Sequence, residues 1–254
     1  MVKLSVPQLV AHRGYSCKYP ENTLLSLEQA LKAGACYLEC DVQLTKDEVP
    51  VLLHDHQLQR TTGEAGSIHQ LNYSQLVSIN ADYPQRFAEQ FPHVPLPSLA
   101  QLVTLMQQWP LRRVFVELKR ASIRQFGRDT MLQAVLDVLQ PVIAQVILIS
   151  FDYDIIEAAQ QNSNLQTGWV MQDYTPSFLQ SAQQLKPQYV FVDWECMPGD
   201  DAPLPDVSWQ WVVYEIDDSG AARQWIEKGA AMIETNDIGG LLATPFFQES
   251  RCND

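Results

Sequence analysis

The segment from Gln8 to Val42, QLVAHRGYSCKYPENTLLSLEQALKAGACYLECDV, decides the fold class of this chain. A short apolar run ends at His12, a helical pattern follows, and a second apolar run begins at Tyr37. The leucines between them recur at helical spacing, with Asn22 placed to cap the helix and Gly34 to end it. A strand, a helix and a second strand in this order are typical of a parallel sheet.

The same alternation of strand and helix patterns continues to the end of the 254 residues. The predicted strands are Gln8–His12, Tyr37–Val42, Val114–Leu118, Gln145–Phe151, Thr167–Met171, Tyr189–Asp193, Trp211–Ile216 and Ala231–Thr235. Eight such units predict an α/β fold, a (β/α)8 TIM barrel. Barrels of this length are commonly undivided, so we predict a single domain over residues 1–254.

One connection is much longer than a single helix requires. About seventy residues separate the second predicted strand from the third. Within them lie a threonine–glycine stretch and the proline-rich run Phe91–Pro97. Loops of this length in compact domains usually have a function. We therefore predict a small inserted lobe after the second strand, at approximately residues 57–97.

Composition limits the partners of the chain. Its formal net charge is −13, from 30 acidic and 17 basic residues, so it repels phosphate backbones and anionic membrane surfaces. We therefore expect no nucleic acid partner and no stable membrane association, whereas a small anionic substrate is compatible with a local metal ion. The N-terminal residues lack a signal-peptide pattern, which predicts a cytoplasmic location; the oligomeric state stays open.

The cysteines lie at positions 17, 36, 40, 196 and 252 and form no CxxC pair or zinc-site pattern. We interpret them as reduced thiols that serve as small apolar groups, as is usual in a reducing compartment.

Charged residues mark the ends of the first three predicted strands. Glu39 and Asp41 are two apart on one strand and face the same side, and Glu117 and Lys119 repeat this arrangement. Barrel enzymes carry their catalytic groups at these strand ends. Three carboxylates at one mouth would repel each other, and oxygen ligands suit Mg²⁺ or Ca²⁺. The alternative is that these carboxylates only pair with nearby arginine and lysine side chains.

Two histidines, His12 and His54, each follow an apolar run. Imidazole both accepts and donates protons near neutral pH, so the pair could supply a base and an acid for displacement at phosphorus. Either histidine alone would more often be structural. Arg13 and Lys119 could neutralise phosphate oxygens, and Tyr214 is either core or a contact for the substrate's apolar edge. The three remaining histidines, His56, His69 and His93, are interpreted as surface residues.

Several motifs resemble those of the glycerophosphodiester phosphodiesterase family, in the same order and spacing. They are His12-Arg13-Gly14, Pro20-Glu21-Asn22-Thr23, Glu39-Cys40-Asp41-Val42, Val51-Leu52-Leu53-His54-Asp55, Arg60-Thr61-Thr62, Val94–Leu99, Glu117-Leu118-Lys119 and Ser150-Phe151. The resemblance extends from about residue 9 to residue 245, and its first sixty residues are the most specific.

This resemblance implies a barrel enzyme that cleaves deacylated phospholipids into sn-glycerol 3-phosphate and an alcohol. It implies a divalent ion on Glu39, Asp41 and Glu117, acid–base catalysis by His12 and His54, and phosphate contacts from Arg13 and Lys119. The chain is most similar to cytoplasmic bacterial members. Whether water or the glycerol's own hydroxyl is the nucleophile, and which histidine is the base, remain open.

The chain departs from the family pattern at two strand ends. The seventh strand commonly ends in asparagine, where this chain has Asp217, and the eighth in Thr-Asp, where this chain has Glu234-Thr235-Asn236. An Asp217 side chain facing the site would favour a cationic head group. These departures bear on specificity, whereas every catalytic position of the first three strands is retained.

Two other functions are alternatives to this reading of the sequence. A lysophospholipase D-like or sphingomyelinase D-like enzyme would need an apolar or membrane-facing mouth, whereas the predicted lobe is polar. A non-catalytic barrel that binds glycerophosphodiesters would be expected to lack a histidine or a metal carboxylate, and this sequence lacks none of them.

Overall fold

Eight parallel strands close into a barrel in the computed structural model, which describes residues 6–162, 165–197 and 202–252. The strands are β1 (Gln8–Ala11), β2 (Tyr37–Leu44), β3 (Pro50–Leu52), β4 (Arg113–Leu118), β5 (Val146–Ser150), β6 (Gln166–Val170), β7 (Tyr189–Asp193), β8 (Gln210–Tyr214) and β9 (Met232–Thr235). Strand β1 pairs with both β9 and β2, which closes the barrel, and β3 pairs antiparallel with β2 outside the parallel ring. The predicted (β/α)8 barrel is confirmed.

Helices connect the strands and surround the barrel. They are α1 (Leu24–Ala33), α2 (Gln59–Thr62), α3 (Tyr73–Leu76), α4 (Pro84–Phe87), α5 (Leu99–Gln107), α6 (Arg120–Phe126), α7 (Arg128–Leu139), α8 (Tyr153–Asn162), α9 (Pro176–Leu185), α10 (Ser219–Glu227) and α11 (Ile238–Leu242). The longer ones bury an apolar stripe against the strands, and the capping box of Ser98 and Gln101 begins α5.

The two faces of each barrel strand enter different environments. In β2, Leu38, Cys40 and Val42 belong to the large core between strands and helices. Glu39 and Asp41 alternate with them and face the barrel interior. Below these carboxylates the interior is filled by apolar side chains such as Phe115 and Phe191. The charged groups therefore stand on a packed floor, near the mouth of the barrel.

The long connection before α5 folds around a small core of its own. This core consists of Val51, Leu53, Leu58, Ile68, Leu76, Ala81 and Leu96. Only short helices occur here, α2 to α4, and the segment joins the barrel through β3. The segment thus has the character expected of an inserted lobe, although the bounds 57–97 and the single-domain description remain predictions.

Two predictions were wrong in detail. The cysteines are not all free thiols, because Cys36 and Cys252 form a disulfide with their Cα atoms 5.1 Å apart, while Cys17, Cys40 and Cys196 are free. This pair lies 216 residues apart in sequence, so only the closed fold brings its members together. The cap of α1 is Thr23, whose side chain accepts from Ser26 N, because Asn22 is turned toward the barrel interior instead.

Candidate active site

One cavity at the carboxyl ends of the strands collects most of the predicted site residues. It is lined by His12, Arg13, Glu39, His54, Glu117, Lys119 and Tyr214, together with Glu215, Glu234 and apolar side chains of the barrel interior. Asp41 lies beside this cavity and is only 1% exposed. Residues from β2, β4 and β8, from the turn after β1 and from the segment after β3 therefore meet at one place, as expected for the strand ends of a barrel.

The turn after β1 fixes the position of His12 and Arg13. Arg13 has φ 54° and Gly14 has φ 84°, so two successive residues adopt the left-handed conformation. A Cβ on Gly14 would lie 2.5 Å from Ser26 Oγ and 2.6 Å from the Ser26 carbonyl carbon. Only glycine fits at this position, because the turn packs directly on α1.

Glu39, Asp41 and Glu117 form a compact group of carboxylates. All three are buried, and each offers an oxygen within 4.8 Å of the others. Burial, followed by the charges of Asp41, Glu234 and Glu117, raises the pKa of Glu39 well above its ordinary value. The Glu39 Oε1 atom is buried and has no hydrogen-bond partner. An unpartnered buried oxygen among acids indicates a place for a cation.

Two cations already contact this group. Lys119 Nζ lies 3.1 Å from Asp41 Oδ1 and 2.8 Å from Glu117 Oε1, and Arg13 Nε lies 3.1 Å from Asp41 Oδ2. Burial by itself would raise the pKa of Asp41, but the charges of Lys119 and Arg13 outweigh it and hold that pKa well below its ordinary value. The alternative of pairing with nearby arginine and lysine side chains is thus realised for Asp41 and Glu117, while Glu39 keeps an unpaired oxygen.

Asn22 is a site residue that the sequence reasoning missed. Its Nδ2 donates to Asp41 Oδ2 at 2.8 Å, and its Oδ1 accepts from Asp41 N at 3.0 Å. The residue has φ 56°, a conformation that asparagine tolerates better than most residues. Helix caps and ligand holders both use asparagine side chains, so the sequence offered no signal that separates the two roles.

His12 is held between an amide and a carboxylate. It is 8% exposed; its Nδ1 lies 3.0 Å from Asn236 Oδ1 and its Nε2 3.8 Å from Glu215 Oε1. Burial and then the charge of Arg13 lower the pKa of His12 to about 3. His12 is therefore neutral at neutral pH.

The orientation of Asn236 decides which nitrogen of His12 carries the proton. Asn236 Nδ2 donates to Asp217 Oδ2 at 3.2 Å, and an ionised carboxylate can only accept. Asn236 Oδ1 therefore points the other way, where it accepts from Ser16 Oγ at 2.8 Å and faces His12 Nδ1. Because this oxygen can only accept, Nδ1 bears the proton and Nε2 is left with a free lone pair.

Asp217 and Asn236, which depart from the family pattern at two strand ends, contact each other. Asp217 accepts from Thr235 Oγ1 at 2.9 Å and from Asn236 N at 2.7 Å, so its carboxylate is turned to the end of β9. The condition for a cationic head group, an Asp217 side chain facing the site, is not met. An amide and a carboxylate have exchanged places between the two strand ends, relative to the pattern that the resemblance implies.

His54 has a charged partner. Its Nδ1 lies 2.6 Å from Asp55 Oδ1, and Asp55 Oδ2 accepts from Arg60 Nε at 2.7 Å. Burial opposes the Asp55 charge, but Arg60 and His54 outweigh it and lower the pKa of Asp55 to about 2. Arg60 also forms a two-pronged contact with Glu21, at 2.8 Å to each oxygen. Glu21 in turn accepts from Arg13, so ion pairs connect His54 to the carboxylate group.

Glu215 and Glu234 are two further carboxylates of the cavity wall. Glu234 is buried on β9, its Oε1 has no partner, and burial followed by Glu215 raises its pKa well above the ordinary value. Tyr214 is also part of the wall, and burial and then Asp193 raise its pKa. Glu234 already departs from the family pattern in the sequence, but only the closure of the barrel places it beside Val10 of the first strand.

In its fold and its site, this chain is an α/β barrel protein with buried carboxylates and two histidines at the barrel mouth. The family model for the Glycerophosphoryl diester phosphodiesterase family matches residues 12–194. The chain therefore belongs to this family. Similar curated proteins are a glycerophosphodiester phosphodiesterase of Bacillus altitudinis, 37% identical over 120 residues, and glycerophosphodiester phosphodiesterase 1 of Rattus norvegicus, 41% identical over 95 residues.

The alignment with the Bacillus protein covers 47% of this chain and 48% of that protein. The alignment with the rat protein covers 37% of this chain and 29% of that protein. The chain thus matches less than half of the length of either relative. Over its whole length the fold is similar to an Oleispira antarctica phosphodiesterase solved with the product sn-glycerol-3-phosphate, with a TM-score of 0.82 at 22% identity, covering 94% of this chain and 96% of that one. The fold is also similar to that of a Silicibacter pomeroyi protein, with a TM-score of 0.81 at 21% sequence identity, covering 96% of this chain and 94% of that one.

Proposed function

We propose that this chain hydrolyses glycerophosphodiesters to sn-glycerol 3-phosphate and an alcohol, using a divalent ion and two histidines. The observation that carries the proposal is the single cavity in which His12 and His54 meet Glu39, Glu117, Arg13 and Lys119. Proton transfer groups, anionic metal ligands and cations for phosphate oxygens are the parts that displacement at phosphorus requires. Family membership supports the substrate class.

The carboxylate group fits a hard divalent ion. Glu39, Asp41 and Glu117 offer only oxygen, which suits Mg²⁺ or Ca²⁺, and the partnerless Glu39 Oε1 is an available ligand atom. A bound ion would supply a Lewis acid that draws charge from a phosphoryl oxygen. Asn22 holds Asp41 through two hydrogen bonds, as the surroundings of metal ligands commonly do.

We assign His12 as the base. Burial keeps its ring neutral, and the Nδ1 proton is committed to Asn236, so the Nε2 lone pair is available in the cavity. A neutral imidazole with one free nitrogen can take a proton from a nucleophilic oxygen. Asn236 and Asp217 are positioning residues in this scheme, because they act through His12 and do not line the cavity.

We assign His54 as the acid. The Asp55 carboxylate holds His54 Nδ1 at 2.6 Å, so Nε2 is the nitrogen of this ring that is left for the substrate, whereas the partner of His12 Nδ1 is the neutral Asn236 amide. A protonated His54 can donate from Nε2 to the leaving oxygen as its bond to phosphorus breaks. The cations Arg13 and Lys119 stabilise charge on the other phosphate oxygens, and Tyr214 contacts the substrate.

Two nucleophiles are compatible with this arrangement. His12 could deprotonate water, or the glycerol hydroxyl next to the phosphate, which would give a cyclic ester that water then opens. Hydrolysis in oxygen-18 water and a supply of the cyclic glycerophosphate distinguish these routes. If the cyclic compound is neither formed nor hydrolysed, the internal route is wrong.

The cytoplasmic location predicted from the sequence remains a proposal. Among the described residues no helix is long and apolar enough to cross a bilayer. The Cys36–Cys252 disulfide argues against a reducing compartment, since disulfides are rare in the cytosol. Titration of free thiols in protein isolated under alkylating conditions tests the cytoplasmic proposal, which requires Cys36 and Cys252 to be reduced there.

The decisive experiment is a coupled assay for sn-glycerol 3-phosphate with several glycerophosphodiesters, each with Mg²⁺, with Ca²⁺ and with a chelator. We expect hydrolysis that a chelator abolishes and that added metal restores. Activity that a chelator leaves unchanged would refute the dependence on a metal ion. If no diester is hydrolysed with either metal ion, the proposed phosphodiesterase function is wrong.

A further inference from the structure

A trough leads away from the active-site cavity, between helix α6 and the lobe segment after His54. We call it the α6 trough, and it is lined by Gln43, His56, Gln57, His69, Ala121 and Arg124. His54, Glu117 and Lys119 line both the trough and the active-site cavity, so the two are continuous. A substrate held at the active site can therefore extend into the trough.

Two arginines of α6 give the trough its charge. Arg120 follows Lys119 directly, and Arg124 comes four residues later, on the same side of the helix. Arg120 stacks on Phe151, with its guanidinium carbon 5.0 Å from the ring centroid, and Arg124 Nε donates to Arg120 O at 3.2 Å. Both side chains also line the trough near its opening to the active site.

No carboxylate among the described residues lies within ion-pair distance of Arg120 or Arg124. Other exposed helix cations differ: Lys32 pairs with Glu28 at 2.8 Å and Arg223 with Glu227 at 2.8 Å, each four residues apart. Two like charges at this spacing destabilise a helix, while opposite charges stabilise it. The arrangement on α6 is thus unfavourable for the helix alone, and an anion between the two arginines would relieve it.

The acids that line the trough already have cationic partners. Asp55 is occupied by His54 and Arg60, and Glu117 pairs with Lys119. The exposed carboxylate of Glu215 belongs to the active-site cavity and not to the trough. An anionic group is therefore attracted to the trough and repelled from the wall beside His12.

We propose that the α6 trough binds the alcohol part of a substrate whose alcohol carries a second anionic group, a phosphate monoester or a carboxylate. This inference rests on the proposed function and specifies its substrate class. Guanidinium groups match the planar or tetrahedral oxygens of such groups through paired hydrogen bonds. In a chain of net charge −13, two arginines that have no carboxylate partner among the described residues also steer such a substrate to the correct side of the site.

Two matched compounds test the proposal, glycerophosphoinositol and glycerophosphoinositol 4-phosphate, which differ by one phosphate monoester. We expect kcat/KM to be about tenfold higher for the phosphorylated compound at low salt, because its extra phosphate can form about two new charge-assisted hydrogen bonds with the arginines. Arg124→Gln should reduce this ratio, Arg120→Gln with Arg124→Gln should bring it near one, and Arg124→Lys should retain part of it. Arg128→Gln, at an exposed arginine paired with Asp129, is the matched control and should keep the ratio.

Binding of both compounds to the His12→Ala variant, measured by calorimetry, separates this inference from the proposed function. Tighter binding of the phosphorylated compound to this variant, together with no hydrolysis of either compound by the wild type, would refute the proposed function and support the trough. Hydrolysis of both at equal kcat/KM, or a preference that survives the double variant, would overturn the trough. Equal binding of the two compounds to this variant, together with no hydrolysis by the wild type, would overturn both.

Discussion

His12 and His54 line one cavity, yet the regions around them are built in opposite ways. His12 is buried at the end of β1 and its partner is a neutral amide, whereas the His54 side chain is 33% exposed after β3 and its partner is a carboxylate. Burial keeps the His12 ring neutral, and the Asp55 carboxylate fixes the orientation of the His54 ring. Identical side chains therefore receive different chemical roles from their surroundings.

The largest expected effect is at His12. We expect His12→Ala to lower kcat by about 10²–10⁴-fold for every glycerophosphodiester, because no deprotonation occurs without the base. Steady-state kinetics with alkyl and with nitrophenyl leaving groups measure this loss. A variant that folds normally, as judged by circular dichroism, and keeps its activity would end the assignment.

His54→Ala should separate the two histidines. With an alkyl leaving group we expect a loss of about 100-fold or more, since a general acid is needed. With a nitrophenyl diester, whose leaving oxygen needs no proton, the loss should shrink to about tenfold or less. Equal losses with both leaving groups would mean that His54 is not the acid, and a pattern reversed between the two variants would exchange their roles.

The Asp217–Asn236 contact gives a smaller effect and a sharper test. Asp217→Asn should lower kcat by about tenfold to hundredfold, because Asn236 is then free to turn its nitrogen toward His12. Nitrogen-15 spectra of the His12 imidazole should show the proton moving from Nδ1 to Nε2. Asn236→Asp should also lose activity, since it sets two carboxylates against each other.

The double exchange Asp217→Asn with Asn236→Asp restores one amide and one carboxylate, so we expect it to recover most of the lost activity. Asp218→Asn is the matched control, because Asp218 only caps α10 and asparagine caps equally well. Additive losses in the double variant would show that these residues do not act as a pair.

The smallest effect concerns stability in acid. The pKa of His12 falls from its ordinary 6.5 to about 3 on folding, so between these values only the unfolded chain binds the proton. The contribution of His12 to the free energy of unfolding is therefore greatest above pH 6.5 and decreases as the pH falls toward 3. At pH 5 the free energy of unfolding should be lower by about 2 kcal/mol for this reason. Urea unfolding of the wild type and of His12→Asn at pH 7.5 and pH 5 measures it. The wild type should lose more than the variant, and equal losses would contradict a buried neutral His12.

The strand ends were the part of the site that local pattern could locate. Glu39, Asp41, Glu117 and Lys119 follow from a period of two along strands that end at the same edge of a barrel. The partners of these residues could not be located in the same way. Asn22 reads as a helix cap, and the pairing of Asp217 with Asn236 joins two strand ends whose closeness depends on barrel closure.

The eight βα units, and hence the barrel, could be predicted from the amino-acid sequence, because periodicity and capping are local properties that each segment carries. The sequence also determined which residue types stand at the mouth. The folded chain was needed to find the His12 proton position, the Cys36–Cys252 pairing and the place of Arg120 and Arg124 along the trough. Each of these depends on burial or on contacts between distant segments, and neither is encoded in the spacing of neighbouring residues.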